Sequence, residues 1–168
     1  MPLLTGVARL ASRLVRRPER GAPPQRGRAG DRARSGGYPG DFDGAVSPEY
    51  APDLDGDPDP GEIVWAWVPF EEDHSRGKDR PVLVVGHDGP WLLALMLSSR
   101  DHDTRPGHPG EEWLDLGVGA WDARRRPSEV RVDRVVRLAP DAVRREGAVL
   151  DRLRFDQVVG SLRQQGGW

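Results

Sequence analysis

The sequence contains no cysteine among its 168 residues. Without thiols the chain cannot form disulfide bonds or thiolate zinc sites, and such a composition is typical of a reducing compartment. No apolar run approaches the roughly 18 residues that a membrane-spanning helix requires. We therefore predict a cytoplasmic protein without a membrane span.

Apolar residues are also scarce, at 36% of the chain against roughly 45–50% in globular domains, and the deficit falls in the first sixty residues. Positive charge is missing from residues 35–62, which carry eight acidic side chains and no lysine or arginine. Residues 1–34 have the opposite bias, because nine arginines against Glu19 and Asp31 give a net charge of +7. The two blocks can pair with each other or attract separate partners, and a solvated tail is the simpler interpretation.

Residues 1–17 have the pattern of a basic amphipathic helix. The apolar side chains that share one helical face are Leu3, Val7, Leu10 and Leu14. The interleaved cations are Arg9, Arg13, Arg16 and Arg17. These arginines interrupt any secretory apolar core, so a signal peptide is not expected. A helix of this kind can contact an anionic membrane surface or a partner, resembles an organellar transit peptide, or has no role at all.

Residues 18–60 are dominated by Pro, Gly and Arg and then by Asp. We predict a disordered linker here, since such a segment buries too little surface to offset its chain entropy. The aspartates of "DLDGDPDPGE" have some likeness to a calcium loop, but Val64 stands where the twelfth position needs a bidentate glutamate. No calcium site is predicted.

Residues 61–165 have the composition of a folded domain. Five segments read as strands: "EIVWAWVPF", "PVLVV", "WLLALML", "WLDL" and "SEVRVDRVVRL". A short helix is predicted over "APDAVRREG", with Pro140 near its start. Apolar spacing predicts a terminal helix whose buried side chains are Leu153, Phe155, Val158, Val159 and Leu162. The predicted fold is mainly β with helices (α+β), a small barrel-like sheet capped by a C-terminal helix and preceded by a disordered N-terminal region.

Polar side chains gather at the ends or on the open faces of these strands. They are His74, Arg80, Ser98, Ser99, Arg131 and Asp133. Arg131 and Asp133 lie two apart on one strand face, where a structural salt bridge is the simplest interpretation. The whole set, however, offers what cleavage of an RNA phosphodiester needs: a proton acceptor, a proton donor, and cations and hydroxyls for the phosphate. Arginine can supply the positive charge, so no metal is required.

The histidines give only weak support for a metal site. His102 and His108 share one loop with Asp101 and Asp103. The Pro/Gly-rich setting of this loop provides no fixed coordination geometry. We predict neither a metal nor a cofactor.

The order and spacing of four marks in the domain resemble the PemK/MazF family of bacterial toxin endoribonucleases, over roughly residues 60–165. The marks are Gly-Glu-Ile-Val-Trp opening the first strand, Arg80-Pro81 before an aliphatic strand, the hydroxyl pair Ser98-Ser99, and Arg131-x-Asp133-x-x-x-Arg137. The resemblance implies an SH3-like barrel, a homodimer, a bacterial cytoplasmic location and nucleic-acid binding to RNA or DNA. It also implies metal-independent cleavage of single-stranded RNA that leaves a 2′,3′-cyclic phosphate and a 5′-hydroxyl, and a cognate antitoxin as partner.

The resemblance assigns roles position by position. Arg131 matches the general acid and Asp133 the general base, while His74 matches a loop histidine that holds the RNA phosphate. Arg80 matches the arginine of the family's Arg-Pro pair, and Ser98 stands where a threonine is usual. The candidates for further substrate contacts are Ser99, Lys78, Arg76 and Arg137.

Two alternatives remain open at this point. The domain beyond residue 62 has a net charge of −1, which is low for a nucleic-acid binder, so an inactive nucleic-acid- or protein-binding module on the same barrel competes with the enzyme. The acidic stretch Asp53–Glu62 is also a candidate for folding over a cationic groove and restraining activity in cis.

Overall fold

The computed structural model describes residues 37–102 and 109–166 of the chain. The amphipathic helix predicted over residues 1–17, the first half of the predicted linker, and His108 lie outside these residues. In the part of the chain that is described, no helix is long and apolar enough to cross a membrane.

The described residues form seven strands and one long helix. The strands are β1 (Glu62–Pro69), β2 (Gly77–Asp88), β3 (Trp91–Ser98), β4 (Trp113–Gly117), β5 (Ser128–Arg131), β6 (Val136–Leu138) and β7 (Val143–Val149), and the helix is α1 (Arg152–Gly166). All strand pairs are antiparallel in the order β4-β5-β3-β2-β1-β7, with β6 also paired to β3. This half-barrel sheet with a C-terminal helix confirms the predicted mainly-β class and is consistent with an SH3-like barrel.

The central strands are buried on both faces, which explains their nearly continuous apolar sequences. Along β3, Leu93, Leu95 and Leu97 join one core cluster, which also contains the buried side chains of α1. The alternate positions Leu92, Ala94 and Met96 join a second cluster on the opposite face. Side chains of successive strand residues point to opposite faces, so one strand contributes to both cores.

The helix covers the first of these clusters through one apolar face. Phe155, Val158, Val159 and Leu162 are buried there, as their spacing predicts. Leu153 is 78% exposed, so its prediction as a buried residue is wrong. It lies at the start of the helix, before the periodic stripe begins.

The predicted strand "SEVRVDRVVRL" is two strands in the structure, β5 and β6, separated by residues 132–135. Both pair with β3, but the intervening backbone bonds elsewhere. The Val132 amide donates to the Glu112 carbonyl (2.9 Å), and the Val135 carbonyl accepts from the Phe42 amide (2.8 Å). This detour places Asp133 and Arg134 off the regular ladder.

The prediction of a short helix over "APDAVRREG" is wrong. Only Pro140–Ala142 form a single 3-10 turn, and the chain then continues as β7, which pairs with β1. Tertiary pairing along the edge of β1 outweighs local helix propensity in this segment.

The N-terminal strap, residues 37–60, corrects the predicted extent of the disordered linker. Val46 is buried, and Phe42 and Tyr50 pack against the core cluster beneath α1. The Tyr50 hydroxyl donates to the Leu150 carbonyl (2.9 Å), and the Glu49 amide donates to the Val85 carbonyl (3.0 Å). Three apolar residues spaced four apart and backbone bonds to the sheet thus hold a segment whose average composition is polar.

Candidate active site

A groove of about 690 Å³ lies over the start of β2 and the end of β3. The antiparallel register pairs Val82 with Met96, which brings the first residues of β2 beside the last residues of β3. Four of the predicted site residues line this groove: Lys78, Arg80, Ser98 and Ser99. Two segments far apart in sequence therefore meet there, as the sequence-based grouping of Arg80 with Ser98 requires.

The Arg80 side chain is half-buried in this groove and forms no hydrogen bond or ion pair with any residue in the described ranges. Burial lowers the pKa of Arg80, the charge of Arg134 lowers it further, and the charge of Glu111 opposes both. The guanidinium still stays protonated, because arginine is charged at any physiological pH. A partly desolvated cation without a partner is unfavourable, so an anion in the groove would be bound favourably.

Arg131 has the opposite situation, because its buried guanidinium is surrounded by three carboxylates. Its nitrogens lie 2.6 Å from Asp133 Oδ2, 3.0 Å from Glu71 Oε2 and 3.2 Å from Glu111 Oε1. Burial acts to lower the pKa of Arg131, but the hydrogen bonds and the charge of Asp133, together with the charges of Glu71 and Glu111, outweigh it and raise the pKa. Arg131 is therefore a weaker proton donor here than an isolated arginine.

Asp133 is fully engaged by hydrogen bonds. Its Oδ1 accepts from Arg131 Nε (2.9 Å) and from the Glu112 amide (2.8 Å), and its Oδ2 accepts from Arg131 Nε (3.0 Å) and Nη2 (2.6 Å). Neither Asp133 nor Arg131 lines the groove. The predicted contact between these two residues exists, and their roles as base and acid stay predictions.

The structure places His74 away from the groove, next to the strap. The Tyr38 ring packs edge-on against His74, with ring centroids 4.9 Å apart. Tyr38 also donates to Asp41, and burial and this hydrogen bond raise the pKa of the tyrosine well above its usual range. His74 is thus not brought together with Arg80 and Ser98.

Arg76 and Arg137, two predicted substrate contacts, are also outside the groove. Arg76 lies over the Phe70 ring at 5.8 Å. Arg137 donates to Asp88 (2.7 Å) and to the backbone carbonyls of Gly40 (3.0 Å) and Asp41 (2.9 Å). These contacts give Arg137 a structural position between the sheet and the strap.

Sequence reasoning did not assign three groove residues to the site: Glu111, Trp113, and His102, which it considered only as a metal ligand. Trp113 Nε1 donates to Glu111 Oε2 (3.2 Å), and the rings of Trp113 and His102 stack at 3.8 Å with an angle of 4° between their planes. His102 Nδ1 lies 2.5 Å from Glu129 Oε2. The sequence offered a signal in the single tryptophan that opens β4 beside a polar loop, but nothing that paired it with His102.

No group of three or more His, Cys, Asp or Glu side chains in residues 37–102 and 109–166 is arranged to hold a metal ion.

The acidic stretch Asp53–Glu62 does not lie over the groove, where it was predicted to fold. None of its residues lines the groove, and it packs at the opposite end of β1, where the Gly61 amide donates to the Val84 carbonyl (2.9 Å). Within the stretch, Asp53 N donates to Glu62 Oε1 (3.1 Å). The hypothesis that this stretch covers the groove is therefore wrong for the structure described.

Comparison with known proteins gives several structural matches. No curated protein matches the chain. The crystal structure of MazF (Form-I) from Deinococcus radiodurans is 24% identical, covers 68% of this chain and 100% of its own, and has a TM-score of 0.49. MazE-MazF (Form-II) from the same organism is 22% identical, with 66% and 95% covered and a TM-score of 0.42. The Mycobacterium tuberculosis toxin MazF-mt6 is 16% identical, with 62% and 94% covered and a TM-score of 0.41.

The comparison by sequence is more specific. The sequence model described as "PemK-like, MazF-like toxin of type II toxin-antitoxin system" matches residues 59–165. The match begins in the strap, extends through all seven strands and ends within α1, and so takes in most of the chain. The chain therefore belongs to the PemK-like, MazF-like toxin family of type II toxin–antitoxin systems.

Proposed function

We propose that this protein is a metal-independent endoribonuclease toxin that cleaves single-stranded RNA and leaves a 2′,3′-cyclic phosphate and a 5′-hydroxyl. Family membership supports the reaction class. The observation that carries the proposal is Arg80, a half-buried cation in the groove that has no partner among the described residues. Its missing counter-charge is what a phosphodiester supplies.

The surroundings of Arg80 fit a phosphate group. Ser98 and Ser99 line the same groove. Ser98 Oγ accepts the Arg100 amide (3.1 Å), which leaves its own proton available for donation to a phosphate oxygen. Guanidinium binding of phosphate is frequently bidentate, so Arg80 would both hold and orient the anion.

Cleavage then needs no external nucleophile. The ribose 2′-oxygen attacks phosphorus, the new bond closes the cyclic phosphate, and the bond to the 5′-oxygen breaks. Negative charge grows on the non-bridging oxygens in the transition state, where Arg80 and the serine hydroxyls would stabilise it. One group must take the 2′-hydroxyl proton and another must protonate the 5′-oxygen.

The test is cleavage of a long mixed-sequence single-stranded RNA in EDTA, with the ends of the products mapped. We expect discrete cuts with cyclic-phosphate ends, and a rate lower by about 100-fold or more for Arg80→Ala, because removal of one such transition-state donor typically costs that much. Arg163→Ala, an exposed arginine on α1, is the matched control and should cut at the wild-type rate. Unchanged cleavage by Arg80→Ala would refute the role of this residue.

A binding module without activity is the second candidate. The observation in its favour is that three carboxylates surround Arg131 and their charges raise its pKa, which makes the assigned acid a weaker proton donor. It predicts salt-dependent binding of RNA and intact RNA after long incubation in EDTA. Cyclic-phosphate ends formed by the wild-type protein and absent with Arg80→Ala would exclude the binding module.

The homodimer and the cognate antitoxin follow from family membership as predictions for this chain. Light scattering on the purified protein measures the first, with a mass of twice 18.6 kDa expected. Contact of residues 1–17 with a membrane surface stays a prediction about residues outside those described.

A further inference from the structure

Three groove residues form a connected chain that the family resemblance does not assign. Trp113 lies between Glu111, which it contacts through its indole N–H (3.2 Å), and His102, on which its ring stacks (3.8 Å). All three line the groove together with Arg80 and Ser98. One rigid aromatic residue therefore fixes two titratable groups beside the presumed phosphate position.

His102 is held in the manner of an oriented proton-transfer residue. Its Nδ1 is bound to Glu129 Oε2 (2.5 Å), and its amide also donates to Glu129 Oε2 (3.1 Å). Its side chain is only 9% exposed. His102 lines the groove, and within the described ranges its Nε2 forms no hydrogen bond. The carboxylate on one nitrogen and the aromatic face against the ring fix the orientation of the imidazole.

Glu111 keeps acceptor capacity that Asp133 lacks. Its Oε1 accepts from Arg131 Nη1 (3.2 Å) and its Oε2 from Trp113 Nε1 (3.2 Å), one hydrogen bond on each oxygen. Each carboxylate oxygen has two lone pairs, so both oxygens can still accept a proton. Both Asp133 oxygens accept two hydrogen bonds.

We propose that Glu111 and His102 are the general base and general acid of the groove, with Trp113 as the residue that positions both. The proposal rests on the proposed RNA cleavage. Glu111 takes the proton of the 2′-hydroxyl as the 2′-oxygen forms its bond to phosphorus. The bond from phosphorus to the 5′-oxygen breaks, and that oxygen receives the Nε2 proton of His102. The enzyme ends with Glu111 protonated and His102 neutral, and proton exchange with water restores both.

In this arrangement Arg131 and Asp133 act one step away from the substrate. Arg131 holds Glu111 by a 3.2 Å contact, Asp133 holds Arg131 (2.6 Å), and the Glu112 amide holds Asp133 (2.8 Å). Both are positioning residues. Their loss would lower the rate through a displaced Glu111, without removing either limb of the pH profile.

The pH profile of RNA cleavage tests the assignment. A base must be deprotonated and an acid protonated, so the wild-type kcat/KM should fall at low pH and at high pH. Glu111→Gln should lower the rate about 100-fold and remove the fall in rate at low pH. His102→Gln should lower the rate by a similar factor and remove the fall at high pH. Glu72→Gln and His87→Gln, at exposed positions outside the groove, are the controls.

Other charged groups are not expected to produce these limbs. Those that line the groove around His102 are Lys78, Asp79, Arg80, Arg100, Asp122 and Arg126. The hydrogen bond and charge of Arg126, with the backbone bond from Arg124, keep the pKa of Asp122 below its usual range despite burial. Lysine and arginine titrate far above neutral pH. Glu129 contacts His102, and Glu129→Gln removes its charge. This variant should weaken the basic limb rather than abolish it.

A substrate with sulfur at the 5′-bridging position gives an independent readout that does not depend on the fold of any variant. A thiolate leaves without protonation, so wild-type protein should cut this RNA with no basic limb, and His102→Gln should recover the wild-type rate on it. Glu111→Gln should stay impaired, because the 2′-hydroxyl proton must still be removed.

The outcomes separate this inference from the function itself. If wild-type protein cleaves RNA while both variants keep its rate and profile, or if the sulfur substrate retains the basic limb, the acid–base assignment is overturned and the endoribonuclease stands. If wild-type protein does not cleave RNA, the proposed function fails and the assignment fails with it. Trp113→Phe, which keeps the stacking and loses the indole N–H, should impair cleavage while retaining the basic limb.

Discussion

The ion pair of Asp41 with Arg134 shows at the level of single residues how the strap is held to the domain. Asp41 Oδ2 accepts from Arg134 Nε (2.7 Å) and Oδ1 from Nη2 (3.1 Å), and Arg134 also donates to the Pro69 carbonyl (3.0 Å). The Arg134 side chain is only 6% exposed. Removing one partner of a buried pair leaves the other charge uncompensated, which is more costly than the pair itself is favourable.

We expect Asp41→Ala to lower the free energy of unfolding by about 3 kcal/mol, since Arg134 then loses its only carboxylate partner among the described residues. Asp41→Asn, which keeps an oxygen acceptor, should cost less. Urea unfolding of both variants measures the difference. Asp156→Ala, which breaks an exposed pair with Arg152 on the helix, is the control and should change stability by less than about 1 kcal/mol.

The same pair predicts a pH dependence. Burial acts to raise the pKa of Asp41, but the hydrogen bonds of Arg134 and Tyr38 and nearby positive charges lower it below its usual 3.8. A carboxylate whose pKa is lower in the folded state stabilises the fold above that ordinary value and loses this contribution as pH falls through the folded pKa. The melting-temperature difference between wild type and Asp41→Asn should therefore be constant above about pH 5 and shrink below the ordinary value. A difference that grows on acidification would contradict this linkage.

The residues of the candidate site that lie at strand ends could be predicted from the sequence, and those that lie in loops could not. Arg80 and Ser98 flank apolar runs, and antiparallel pairing brings such ends together, so their shared groove follows from the sequence pattern. Glu111 and His102 reach the groove from either end of the segment between β3 and β4. No periodicity relates them, and only the stacking of His102 on Trp113 shows that they belong together.

At the scale of elements, the pairing of β7 with β1 depends on a β-bulge. The register shifts between Ile63 and Val64, so that Gly147 is the extra residue on β7. A side chain at this position would place Cβ 2.3 Å from the Ile63 carbonyl oxygen. Glycine is therefore required by the close approach of two backbones.

Gly147→Ala should lower the free energy of unfolding by about 1–3 kcal/mol, because backbone atoms must move to admit the methyl group. Gly160→Ala is a matched control of opposite sign. Gly160 lies on α1 with nothing within 4 Å of the added Cβ, so alanine should stabilise the helix by about 0.5–1 kcal/mol. Chemical denaturation of both variants gives the comparison, and a neutral Gly147→Ala would show that the bulge relaxes freely.

The elements themselves were predictable to different degrees. The strands of the central hairpin and α1 have strong apolar patterns and were identified, whereas β7 carries charged residues along "VRREG" and lacks such a pattern. Its strand conformation comes from pairing with β1, which no local signal reveals. The division of one predicted strand into β5 and β6 likewise depends on the Phe42 and Glu112 backbone, both distant in sequence.

At the scale of the whole molecule, the folded unit begins before the family match. The match starts at residue 59, but Phe42, Val46 and Tyr50 of the strap pack into the core cluster. A low apolar content concealed these anchors, because three well-placed side chains barely change the composition of the segment.

A fragment that begins at residue 37 keeps the whole strap and serves as the reference. A fragment that begins at residue 59 should lose on the order of 5 kcal/mol or fail to fold, since it exposes core surface and leaves Arg134 unpaired. Calorimetry on the two fragments distinguishes these outcomes. Equal melting temperatures would show that the strap contributes no net stability.

The strap also constrains the order of events during synthesis. Tyr50 bonds to Leu150 and Asp41 to Arg134, across sequence separations of 100 and 93 residues. Such contacts require closure of very long loops, and the strap leaves the ribosome long before its partners exist. The strap is therefore translated before these two partners, and its docking is complete only when Arg134 and Leu150 have emerged.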